Sequence, residues 1–123
     1  VAGGQTAGRP EDKRNATLLM SALRSELDVR GAATGRRYLL TAATPAAAWT
    51  LDNYEIGNIA PLVDFFNVMA YDFHGSWENR TGFNAPLYAT AGDPTTAFNS
   101  DAAVNLYLNR GVPASRLNLG LPL

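Results

Sequence analysis

The stretch Asp64-Phe-Phe-Asn-Val-Met-Ala-Tyr-Asp-Phe-His-Gly-Ser-Trp77 decides how this chain is read. Its first part is an apolar run suited to a buried strand over Phe65 to Tyr71. Alternate side chains of a strand share a face. Asn67, Met69 and Tyr71 therefore project one way, and Phe66, Val68 and Ala70 the other. The second set is wholly apolar and suits packing against helices. The first set mixes an amide, a thioether and a phenol, and Asp72 follows where the strand ends. A Tyr–Asp pair at that point offers a hydroxyl donor and a carboxylate acceptor to a polar ligand. On these residues alone the pair also reads as a core tyrosine followed by a turn-starting aspartate.

The flanking sequence alternates helix and strand. Arg9-Pro10-Glu11-Asp12 opens a first helix, because proline suits the first helical position and acids favour the positive helix end. Ala16, Leu19, Met20, Leu23 and Leu27 follow at helical spacing, and the helix is expected to end near Asp28 to Gly31. Tyr38 to Ala43, stopped by Thr44-Pro45, reads as a buried strand. Asp52 or Asn53 is expected to cap a second helix with Ile56, Ile59, Ala60 and Val63 on one face, distorted at its end by Pro61. After the Phe65–Tyr71 strand comes a polar loop from His74 to Asn99, about 25 residues long, a length that usually marks function. Ser100 is expected to cap a third helix with Ala103, Val104, Tyr107 and Leu108, and Gly111 to end it. Leu117 to Leu123 reads as a third strand. The order α-β-α-β-loop-α-β implies an α/β class with a parallel sheet and right-handed crossovers.

Bulk properties exclude several classes. With 46% hydrophobic and 17% charged residues the 123-residue chain is globular in composition. A net charge of -1 gives no pull towards nucleic acid or anionic membrane. The absence of cysteine removes disulfide scaffolds and thiolate metal sites, and no apolar run approaches the ~20 residues of a membrane span. The chain starts at Val1 with a Gly-rich stretch, Ala2 to Gly8, and stops directly after an apolar run, so it is expected to be a piece of a longer domain. A closed (β/α)8 barrel needs roughly 200 residues or more.

Four segments carry a family resemblance. Asp64 to Glu78, followed by Thr81-Gly-Phe-Asn-Ala-Pro-Leu-Tyr88, closely resembles family 18 glycoside hydrolases, the chitinases, in which a Met-x-Tyr-Asp motif ends the sixth barrel strand. Arg9-Pro-Glu-Asp-Lys13 resembles the start of the helix after the fourth strand. Leu40-Thr-Ala-Ala-Thr-Pro-Ala46 resembles the fifth strand. Gly111-Val-Pro-Ala-Ser-Arg-Leu-Asn-Leu-Gly-Leu-Pro122 resembles the seventh strand and its approach. Each motif alone is modest, but four in order cover nearly the whole chain. The resemblance implies that residues 1–123 are a partial catalytic domain: a partial TIM (β/α)8 barrel, about strands five to seven with their intervening helices.

The resemblance also implies roles. Family members cleave β-1,4 bonds between N-acetylglucosamine units with retention, the substrate's own N-acetyl oxygen attacking the anomeric carbon, an exception to the two-carboxylate scheme. Tyr71 would hold that oxygen and Asp72 would bind polar groups near the cleavage point. Met69 and Ala43 would line the sugar subsite, and Trp77 would stack on a ring on the leaving-group side, although loop packing also explains Trp77. The general acid, the glutamate of an Asp-x-x-Asp-x-Asp-x-Glu motif, has no counterpart here, since Glu11, Glu26, Glu55 and Glu78 match nothing catalytic. That motif is expected just before Val1, so the isolated segment is expected to be inactive. A chitinase-like lectin and an independent small α/β domain are the alternatives. No cofactor and no metal are expected, because His74, the only histidine, has no partners at ligand spacing and reads as a hydrogen-bonded loop residue. The expected partner is chitin or chitooligosaccharide, with no nucleic acid and no membrane, for a secreted protein that is a monomer when complete.

Overall fold

The computed structural model describes residues 8–123, so most of the Gly-rich start lies outside the described residues. Helix α1 (Asp12–Thr34) is preceded by a tight turn in which the Asp12 N–H donates to the Arg9 carbonyl at 3.0 Å and the Arg9 N–H to the Asp12 carboxylate at 2.9 Å. It runs past Gly31, where the sequence suggests a stop. The helix ends instead at Gly35, in the left-handed region with φ 66°, and the Arg36 N–H returns to the Gly31 carbonyl at 3.1 Å. Gly31 serves that return, since a Cβ there would stand 2.5 Å from the Arg36 carbonyl oxygen.

The inward stripe of α1 also departs from its leucines. Thr17 is buried and Met20 and Leu27 pack on the core, whereas Leu19 and Leu23 are exposed. Polar partners explain the difference. Thr17 donates to Glu55 at 2.6 Å, and Arg24 reaches Asp64, so polar side chains occupy inward positions that apolar ones would otherwise fill.

Strands β1 (Thr41–Pro45), β2 (Phe65–Met69) and β3 (Leu117–Leu119) form one parallel sheet in the order β1-β2-β3. β1 starts three residues later than expected and runs on through Pro45, which pairs with Met69 at the strand's end. The expected second helix is two short ones, α2 (Ala48–Leu51) and α3 (Ile56–Ile59), but its apolar face holds: Ile56, Ile59, Ala60 and Val63 are all buried. The third helix, α4 (Ser100–Leu108), is capped by Asn99, whose side chain accepts from the Ala102 N–H at 2.8 Å. Gly111, at φ 82°, closes it, with the Val112 N–H returning to the Tyr107 carbonyl at 3.1 Å.

All of this packs on one side of the sheet. Ala42, Thr44, Phe66 and Val68 are buried beside Leu51, Tyr107 and Val112. Successive right-handed crossovers onto neighbouring strands in one direction put their connections on the same face. The other face, carrying Ala43, Asn67, Met69 and Asn118, stays open, with an Asn118-to-Asn67 amide hydrogen bond of 3.2 Å across it.

The N-terminal ends of β1 and β2 are tied by Asp64. Its N–H donates to the Leu40 carbonyl at 2.7 Å and its carboxylate accepts the Leu40 N–H at 2.8 Å. Arg37 and Arg24 both reach the same carboxylate. The hydrogen bond from Arg37, then that from Leu40, hold the Asp64 carboxyl below the usual carboxylate range. A depressed folded-state value means stability present above the unfolded value of about 4 and lost as pH falls through the folded one. Asp64→Asn in the complete protein is expected to cost roughly 1–2 kcal/mol at neutral pH, the exposed Arg37 pair contributing least. It should also shrink the stability difference between pH 7 and pH 3. Denaturant unfolding at both pH values checks this, and equal midpoints for the two proteins at pH 7 would contradict it.

Candidate active site

The sheet's alternation places the site. Phe66, Val68 and Ala70 are fully buried, while Asn67 and Tyr71 are half-buried and Met69 is 37% exposed. β2 ends two residues earlier than the expected Tyr71. The Ala70 N–H turns back to the Val68 carbonyl at 2.9 Å, and Val68 also accepts the Gly120 N–H at 2.8 Å. Asp72 then adopts φ 56°, the only positive φ of a non-glycine among the described residues. Aspartate tolerates this region better than most residues, and such a conformation persists only where its surroundings enforce it.

Met69, Tyr71, Asp72 and Trp77 line one concavity of about 390 Å³, together with Pro45, Trp49 and Phe98. It lies beyond the C-terminal ends of β1 and β2, where ligands of parallel α/β sheets bind. Trp49 and Trp77 are 63% and 66% exposed, so two indoles stand free at its walls. Ala43 does not line it; this residue is exposed on the open sheet face, paired in register with Asn67. Among the described residues lining the concavity there is no glutamate. Glu55 is engaged by Thr17 and Glu78 by His74.

Two glycines make room for the site. A Cβ on Gly75 would lie 2.3 Å from the Trp77 ring. A Cβ on Gly120 would lie 2.7 Å from the Val68 carbonyl oxygen and 3.0 Å from Tyr71 Cε1. Tyr107, whose hydroxyl donates to the Pro45 carbonyl at 2.7 Å, fixes the end of β1 at the cleft wall, and burial pushes its phenol up to about 12.

His74 is the loop residue the sequence indicates. It is buried, its Nε2 2.8 Å from Asp93 and its Nδ1 3.2 Å from Glu78, with Phe98 edge-on at 5.7 Å. Both ring nitrogens are thus taken by carboxylates. The hydrogen bond to Asp93, opposed by burial and aided by Glu78, raises its pKa. A larger hollow, about 610 Å³, opens between the arms of this loop around His74, Arg80, Phe83 and Asp93. It lies away from the strand ends, and its walls are loop segments, so the smaller cleft is the better candidate for chemistry.

Sequence reasoning missed Asn84, Trp49 and Phe98. Asn84 donates from its amide to Asp72 Oδ1 at 2.9 Å. Its partner lies 12 residues away, so no local pattern could reveal the pairing. Trp49 carried the simplest signal, an exposed tryptophan shortly after a strand that reaches the cleft.

The crowding at Gly120 makes a prediction. Gly120→Ala must displace either the Val68 carbonyl or the Tyr71 ring, both near the cleft. It is expected to destabilise the complete protein by ~1–3 kcal/mol and to lower turnover. An unchanged thermal midpoint together with unchanged turnover would contradict the packing described.

Comparison with known proteins places the chain in a family. The family model for glycosyl hydrolases family 18 matches residues 3–123. Chitinase A1 of Niallia circulans is 45% identical over 99% of this chain, which spans 19% of that relative's length. Chitinase ChiA74 from Bacillus thuringiensis superposes with a TM-score of 0.90 at 44% identity, over 99% of this chain and 20% of that one. A structure of human YKL-39, described as a pseudo-chitinase with retained chitooligosaccharide binding, superposes with a TM-score of 0.86 at 31% identity, over 92% of this chain and 33% of that one. The family match covers nearly every residue, and the chain belongs to the glycosyl hydrolases of family 18.

Proposed function

We propose that the protein carrying this segment is a chitinase, hydrolysing β-1,4 bonds between N-acetylglucosamine units, with residues 1–123 forming about strands five to seven of its (β/α)8 barrel. The observation that carries the reading is the grouping of Met69, Tyr71 and Asp72 at the end of β2 in one cleft with Trp77, in a chain of this family. The one-sided winding of the sheet supports the barrel, because the open face would be the barrel interior and the C-terminal strand ends its mouth.

In this reading the sugar lies in the cleft with its acetamido group over Tyr71. The Tyr71 hydroxyl donates to the acetamido oxygen and holds it in line with the anomeric carbon. That oxygen forms the new bond as the glycosidic oxygen leaves with a proton. Water then opens the cyclic intermediate, and two inversions give net retention. Asp72 accepts hydrogen bonds from the acetamido N–H and nearby polar groups, which compensates the positive charge that develops there. Met69 lines the sugar subsite and Ala43 the sheet face beside it. Trp77 stacks on a ring of the leaving-group side. The proton donor is a glutamate outside these residues, and neither a metal nor a cofactor takes part. A polymeric substrate fits action outside the cell.

A chitinase-like sugar-binding protein is the second reading, favoured by the likeness to human YKL-39, since this part of the fold accompanies both outcomes. Turnover of a fluorogenic chitobioside by the complete protein separates them: release of fluorophore supports the enzyme, and tight chitooligosaccharide binding without release supports the lectin.

In the active complete protein, Tyr71→Phe is expected to lower kcat roughly 10²-fold with little change in KM, because its hydrogen bond matters most as the acetamido oxygen attacks. Asp72→Asn should also lower kcat. An unchanged kcat in Tyr71→Phe would remove the assigned role.

A further inference from the structure

Asp72, three residues past the end of β2, is held by the loop that follows. An ionised carboxylate can only accept, so the Asn84 amide nitrogen is the group that faces it, at 2.9 Å from Oδ1. The Asn84 amide oxygen is then turned to the Asp72 N–H, a long contact of 3.5 Å. One residue on, the Phe73 N–H donates to the Asn84 backbone carbonyl at 3.0 Å. Asn84 therefore grips the chain at and just after Asp72, the single non-glycine among the described residues with a positive φ.

The grip has a fixed base. Two and three residues after Asn84, the Pro86 and Leu87 carbonyls accept the Ser100 and Asp101 N–H groups at 2.9 and 3.0 Å. Those are donors of the first turn of α4 that have no partner within the helix. The helix start thus anchors the segment that carries Asn84, and Asn84 transmits that position to Asp72.

We propose that Asn84 is a positioning residue for hydrolysis, holding the Asp72 carboxylate by Oδ1 so that Oδ2 is left to face the acetamido group of an N-acetylated sugar. The inference rests on the hydrolytic reading above. Asn84 touches no reacting atom; it fixes the rotamer and the left-handed backbone of the residue that does. Such geometry matters because a small misplacement of a catalytic group can cost ~10²-fold in rate.

The test uses the complete enzyme and a chitooligosaccharide substrate. Asn84→Ala keeps the backbone carbonyl that Phe73 needs, so folding is expected to survive. Its kcat is expected to fall about 10- to 100-fold with KM within about threefold. Asn84→Asp has the same shape without the donor and is expected to fall at least as far. In an Asp72→Asn background, Asn84→Ala is expected to add no further loss, because the group it positions is already disabled. A purely structural role would instead multiply the two losses. Full kcat in Asn84→Asp, or multiplicative losses in the double variant, would overturn the assignment while leaving the chitinase reading intact. Absence of turnover in the wild-type control would overturn both, and is told apart by that control.

Discussion

Strand β2 is hydrogen-bonded on both edges, and its successive side chains are committed to opposite environments. Phe66 and Val68 have no exposed surface, so the register cannot slip by one residue without sending both to the open face. That commitment fixes where Asn67 and Met69 project. The cleft depends on it, as do the two contacts that finish the strand: the Gly120 backbone against Val68 and the left-handed turn at Asp72.

The opposite end of the same strand is built for stability. Asp64 ties β2 to β1 and receives two arginines, and in parallel α/β folds the N-terminal strand ends carry stability while the C-terminal ends carry chemistry. Gly75 and Gly120 are small because Trp77 and Tyr71 occupy the space a side chain would take, and Gly82 because His74 does. The loop after β2 is thereby packed around its own aromatic and histidine residues, with α4 as its platform.

Period-two alternation made the faces of β2 legible in the sequence, since each side chain's environment follows from strand geometry alone. The buried face of α3 was legible for the same reason at helical period. The inward stripe of α1 was not, because Thr17 and Arg24 face inward by virtue of partners, Glu55 and Asp64, that are about 40 residues distant. Strand ends were misplaced where a single backbone bond decides them, as at Ala70. Tyr71, Asp72, Met69 and Trp77 came from a motif and meet in one cleft. Asn84 and Trp49 enter that neighbourhood only through tertiary contacts, and Ala43 sits one layer down on the open face.

The geometry of the acetamido group is what this segment exists to control, on the reading advanced here. A crystal structure of the complete protein with a chitooligosaccharide spanning the cleft measures it. The Tyr71 hydroxyl is expected within about 3 Å of the acetamido oxygen of the sugar being cleaved, with the Asp72 carboxylate beside the acetamido nitrogen. An acetamido group turned away from Tyr71, with the sugar bound elsewhere along the loop, would contradict it.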